Sequence, residues 1–157
     1  MMIRPATADD LNTLRSAPLH QLTGPETWQP LAAAVVSPVG DGYVMIADGA
    51  PMGTLTLSKI SPDSLAISLL EVVHTAVLEQ VVAALITHAR ETVQGTDIRR
   101  FVIRCDPSVA GNFTMLGAEP IAELPAAADR GRPLRVLEIR LPSGACGAAA
   151  AAAGPDV

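Results

Sequence analysis

The sequence is poor in the features that announce most chemistries. It has only two cysteines, Cys105 and Cys146. Neither stands in a CxxC or Cys/His spacing, so the usual zinc sites are excluded. Cys105 closes an apolar run and Cys146 lies in a low-complexity tail. They read as one buried and one exposed free thiol. The eleven Lys and Arg residues are scattered, the formal charge is -5 and the pI about 5.0. Without a basic run there is no nucleic-acid face, and a small molecule or a protein is the expected partner. The opening MMIRPATADD lacks a long apolar run, which predicts no signal peptide. The longest helical stretch, Thr75 to Val93, carries Glu79, Gln80, His88, Arg90 and Glu91, which predicts no membrane span. A cytoplasmic location is expected. There is no P-loop, no dinucleotide fingerprint and no Ser/His/Asp set with usable spacing.

The most informative absence is glycine. None occurs between Gly53 and Gly95, and no Arg or Lys occurs between Lys59 and Arg90. In the middle of this gap lies SLLEVVHTAVLEQVVAAL, Ser68 to Leu85, where an apolar strand runs into a helix. Such a junction commonly binds phosphate, because the helix N-terminus offers free amides and glycines let the backbone come close. Here the glycines and the cations are both missing.

What is present points to one folded domain over residues 1–141, since 49 % of the chain is apolar. Residues 142–157 are low complexity, are expected to be disordered and are left out of the fold. MIRPATADDLNTLRSAPLHQL predicts a strand and then a helix. Thr7 is its N-cap, Asp9 and Asp10 stand in its first turn, Leu11, Leu14 and Leu19 form its apolar face, and Pro18 ends or bends it. TGPETWQPLAAAVV holds a second short helix interrupted by Pro25 and Pro30. Two β-rich runs, Tyr43 to Ala47 and Met52 to Leu57, flank Asp48-Gly49 and predict a hairpin.

Ser64 to Val73 is apolar on both faces, as a covered central strand should be. Leu78, Val81, Val82, Leu85, Ala89 and Val93 then recur at helical spacing up to the stop at Gly95. Ile98 to Cys105 is the next strand, which makes a βαβ crossover and predicts a parallel pair. A helical turn closed by Gly117 and a strand from Leu134 to Leu141, with Leu137, Ile139 and Leu141 inward, complete the order. The fold class is α/β: a central mixed, mostly antiparallel sheet with helices on both faces.

This order of elements resembles the GNAT superfamily of acyl-CoA N-acyltransferases. IRPATADDL is similar to its opening strand and helix, and VMIADGAPMGTLTL to its second and third strands. LLEVVH resembles its fourth strand, ALITHARE the end of the helix after it, and FTMLGAEPI its late helix. The resemblance implies that acyl-CoA inserts between the splayed fourth and fifth strands. Its pantetheine bonds the fourth strand's backbone, which places Val72, Val73, Thr75 and Ala76 as the cofactor-binding backbone. It also implies a pyrophosphate loop of the pattern Arg/Gln-x-x-Gly-x-Gly/Ala, a carboxylate base acting through water, and a tyrosine acid in the late helix. Trp28 lies in the region that often shapes the acceptor site.

Two departures fall on the chemistry. From VVH the chain passes directly to TAVLEQ, about five residues short of that phosphate loop. The tyrosine position holds Phe113, which has no proton to give. Glu71 is the candidate base, against the alternative of a carboxylate turned to water or paired with an arginine. His74 is a candidate proton carrier, against a histidine that only caps the junction. His88 is expected on the solvent side of its helix, and His20 in a loop without a partner. Arg99, Arg100 and Arg104 are expected to cover the sheet edge or pair with local acids, and Met45, Met52 and Met115 to fill the core. The expected function is a GNAT-like domain with a degenerate acetyl-CoA site, acting by ligand or protein binding, open to homodimer formation. The alternative is an active N-acetyltransferase.

Overall fold

The computed structural model describes residues 1–24, 41–126 and 132–142. The chain opens with β1 (Met2–Pro5) and α1 (Ala8–Arg15), then β2 (Leu19–Thr23). A meander follows: β3 (Asp41–Ala47), β4 (Ala50–Ser61) and β5 (Ser64–Val73). Next come α2 (Leu78–Thr92), β6 (Arg100–Cys105), a short 3₁₀ turn at Pro107–Val109, α3 (Gly111–Thr114), β7 (Glu119–Leu124) and β8 (Leu134–Arg140). Among the described residues, eight strands form one sheet in the order β1-β3-β4-β5-β6-β8-β7, with β2 joined to β5 outside that path. Among the described strands only β5 and β6 pair in parallel, as the crossover through α2 requires.

Alternation along the strands sorts the two faces. On β6, Phe101, Ile103 and Cys105 enter the main core, while Val102 joins Ala66 and Val136 on the other face. α2 covers the main face with Val81, Val82, Leu85, Ile86 and Ala89. α1 lies over β4, and its Arg15 reaches Glu71, which β5 turns away from Leu70 and Val72. Helices therefore cover both faces. The hairpin forms where expected: Asp48 and Gly49 both adopt positive φ (52° and 76°), a type I′ geometry that glycine permits cheaply.

Gly53 is where β4 passes under α2. A Cβ there would meet Val81 Cγ1 at 2.7 Å and the Glu71 carbonyl at 3.0 Å. We expect Gly53→Ala to lower stability by about 1–3 kcal/mol, because neither a helix nor a central strand yields easily. A urea melt of that variant would check it.

α1 is pinned by a capping box. Asp10 accepts from the Thr7 amide (2.8 Å) and from both terminal nitrogens of Arg4 (2.7 and 2.9 Å), while the Asp10 amide donates to Thr7 Oγ1. The Arg4 hydrogen bonds, followed by that of the Thr7 amide, hold the Asp10 carboxyl far below the usual carboxylate range. Its contribution is therefore complete at neutral pH and is lost as pH falls through the ordinary carboxylate range towards the depressed folded value. We expect Asp10→Asn to cost about 1–2 kcal/mol at pH 7. The variant should also lose less stability than the wild type between pH 5 and pH 2, roughly the range set by linkage, as urea melts across that interval would read.

Several expectations need correction. Leu19 is not on a helix: α1 stops at Arg15, and Leu19–Thr23 is a strand. The helix after β5 starts at Leu78, not near Thr75, because residues 74–77 form a turn. Strand β7, Glu119–Leu124, has no counterpart in the sequence reading. Met115 is 74 % exposed and fills no core. The second helix expected between β2 and β3 lies outside the described residues, apart from Thr23, which belongs to β2, and Gly24, which follows it.

Candidate functional site

The junction after β5 is built by three strands. β4 pairs with β5 along one edge, from Gly53 to Ser61. The other edge is divided. Ser64, Leu65 and Ala66 pair with Arg100, Phe101 and Val102 of β6, and the pairing ends there. Beyond that point β5 and β6 diverge, as two twisted strands held only at one end can. The divergence is not an open groove. β2 lies in it, antiparallel to β5, with Leu19 opposite Val73, His20 opposite Val72 and Gln21 opposite Glu71. After a bulge Thr23 stands opposite Leu70, and Leu22 enters the main core at 2 % exposure. The His74 amide donates to the Pro18 carbonyl at 3.0 Å, extending the ladder past the end of β5.

Four backbone positions were expected to hold a cofactor. Two of them, Val72 and Val73, lie opposite β2. The Ala76 amide is used within the turn, donating to the Val73 carbonyl (3.2 Å). Thr75 lies in the same turn, ahead of the helix rather than on it. α2 begins without a side-chain cap and carries Glu79 in its first turn. A carboxylate there suits the helix dipole and repels a second anion. No Arg or Lys stands in the turn or in the first turn of the helix.

Glu71 is buried, and it is tied. It accepts from Gln21 Nε2 at 2.9 Å and from Arg15 Nε at 3.4 Å. The candidate base thus sits in a contact that joins α1, β2 and β5. His74 stacks at a tilt on His20, with ring centroids 4.1 Å apart, so His20 is on a strand with a partner and not alone in a loop. His88 is half-buried, its ring edge-on to Tyr43 at 4.9 Å. Phe113 is fully buried in the main core. Trp28 lies outside the described residues. Arg100 pairs with Glu138 (2.9 Å) and donates to Ser64 Oγ (2.7 Å), the acid-pairing role expected of that strand's arginines. Cys105 is buried, and desolvation pushes its thiol up to about 11. Among the described residues no group of three or more His, Cys, Asp or Glu side chains is arranged to hold a metal. No described helix is long and apolar enough to cross a membrane.

Neither a protein-family model nor any curated protein matches the sequence. Solved structures match its shape. An aminoglycoside 6'-N-acetyltransferase from Enterococcus faecium aligns with a TM-score of 0.63 at 12 % identity, covering 89 % of this chain and 97 % of that one. An IAA acetyltransferase from Bacillus cereus aligns with a TM-score of 0.67 at 17 % identity, covering 89 % and 99 %. A GNAT superfamily phosphinothricin acetyltransferase from Sinorhizobium meliloti, solved in complex with AcCoA, aligns with a TM-score of 0.63 at 19 % identity, covering 92 % and 90 %.

Proposed function

We propose, for a chain that has the fold of the GNAT acetyltransferases, a domain whose acyl-CoA site is degenerate and which works by binding a small molecule or a protein, with weak or no acetyl transfer. The observation that carries this reading is β2. A pantetheine arm bonding β5 and the strand Leu19–Thr23 require the same edge, so one excludes the other. Three further features support it. The junction offers a pyrophosphate no glycine and no cation, and it sets Glu79 beside the helix amides. Glu71 is engaged by Arg15 and Gln21. Phe113 supplies no acid. Acyl-CoA is the cofactor the fold suggests, and the residues present do not fit it.

Calorimetric titration with acetyl-CoA and with CoA tests the binding, and release of free CoA thiol over a panel of amines tests the chemistry. We expect no saturable binding up to millimolar ligand and no thiol release above background. A micromolar dissociation constant, or turnover with any amine, overturns the proposal in favour of an active N-acetyltransferase.

A further inference from the structure

A cavity lies at the end of the sheet opposite the β2 junction. It is bounded by the C-terminal end of α2, the approach to β6 and the exit of β8. Because β5 and β6 are parallel, this is the end where they are paired, away from the divergence filled by β2. Its volume is about 310 Å³, at the small end of the range for ligand pockets. Val93, Ile98 and Leu141 give it aliphatic walls, Gly117 opens one side, and Arg90 and Arg140 supply the charge.

Arg90 is the unusual member. One terminal nitrogen donates to the Leu116 carbonyl at 2.6 Å. Its Nε is buried with no hydrogen-bond partner, and no carboxylate among the described residues pairs with it. A guanidinium never gives up its charge in a protein, so a half-buried one beside apolar walls favours an anion. Arg140 stands at the rim, 80 % exposed, with its Nε on Glu138. The combination of one unpaired cation, one rim cation and a short apolar wall matches one ligand chemistry.

We propose that this cavity binds a small monocarboxylate with an apolar body. The carboxylate meets Arg90, and the hydrocarbon lies on Val93, Ile98 and Leu141. The site is independent of the acyl-CoA question, since it shares no residue with the β2 junction.

The test compares hexanoate, hexanol and hexylammonium by methyl-detected NMR titration of the full chain. Hexanoate should bind at least about tenfold more tightly than hexanol, the discrimination expected of one charge-assisted contact. Hexylammonium should bind no better than hexanol. The perturbed methyls should be those of Val93, Ile98 and Leu141. In Arg90→Gln the preference for hexanoate over hexanol should vanish while the hydrocarbon contacts persist. Equal binding of hexanoate and hexanol in the wild type, perturbation centred on other methyls, or an undiminished preference in Arg90→Gln would each overturn the proposal. If Arg90→Gln does not fold, the wild-type ratio and the methyl map decide it.

Discussion

Replacing Phe113 with alanine should cost about 3–5 kcal/mol, the range for deleting a buried aromatic ring. Against a total of about 5–15 kcal/mol for a domain, that is a large fraction of the stability. Phe113 is fully buried although α3 is only four residues long. The helix is held in place largely by this ring, and Ala110 packs in the same core. Phe113→Tyr is the sharper test. It restores the residue type that the GNAT resemblance places here. If the ring is sealed in the core, the added hydroxyl meets packed apolar side chains, and stability falls by about 1–3 kcal/mol. Acetyl transfer should stay at background. Urea denaturation and a CoA-release assay on the same preparation read both effects. A variant as stable as the wild type that gains transfer would show that the ring edge reaches a working site.

The parts of the fold legible in the sequence are those fixed by local chemistry. Asp48-Gly49 demands two positive φ angles, and the hairpin forms around it. The stripe of Val81, Val82, Leu85 and Ala89 has one way to bury itself, and α2 does so. Ser64–Val73 matches the expected strand to the residue, because a segment apolar on both faces belongs in the middle of a covered sheet. The two missed strands owe their existence to distant partners. In β7, Glu119-Pro120-Ile121-Ala122-Glu123 is exposed throughout and bonds only β8, so it has no alternation to read. Proline and acids are what an edge strand tolerates. β2 has only Leu19 and Leu22 as apolar members, and Pro18 before it reads as a helix end. It becomes a strand because the unpaired edge of β5 offers backbone partners.

The site was legible in part for the same reason. The missing glycines and cations are a matter of sequence, and in the structure residues 74–77 are all that separates β5 from α2. Nothing local indicates that the edge of Val72 and Val73 is taken by Leu19 and His20, because that pairing is far apart in sequence and closes a long loop. The partners of Glu71 follow from that one event. Gln21 reaches it because β2 is in register, and Arg15 reaches it because α1 ends just before the turn into β2. The pairing of His20 with His74 is a further consequence, since both flank the first rungs of that ladder.

If β2 is what bars acyl-CoA, loosening it should strengthen acetyl-CoA binding even as it weakens the fold. A ligand that needs the vacated edge binds with an affinity reduced by the fraction of molecules in which that edge is free. Every 1.4 kcal/mol, roughly, removed from the seating of β2 raises that fraction about tenfold while it remains small. Leu22 is the seat's apolar anchor, and Leu22→Ala should cost about 2–5 kcal/mol. The His74–Pro18 bond marks those two residues as a bonded pair, so the alternation of an antiparallel ladder puts the next bonded pair at His20 and Val72. His20→Pro removes that donor from an exposed side-chain position and should cost about 1–3 kcal/mol. Both variants should gain saturable acetyl-CoA binding by calorimetry at millimolar ligand, where none is expected of the wild type, since roughly 1.4 kcal/mol is worth about tenfold in affinity. Asp10→Asn supplies the control, since it destabilises the domain at α1 without touching β2. An affinity unchanged in Leu22→Ala and His20→Pro, or raised equally in Asp10→Asn, would mean that β2 is not the barrier. The poverty of the phosphate junction would then have to exclude the cofactor by itself.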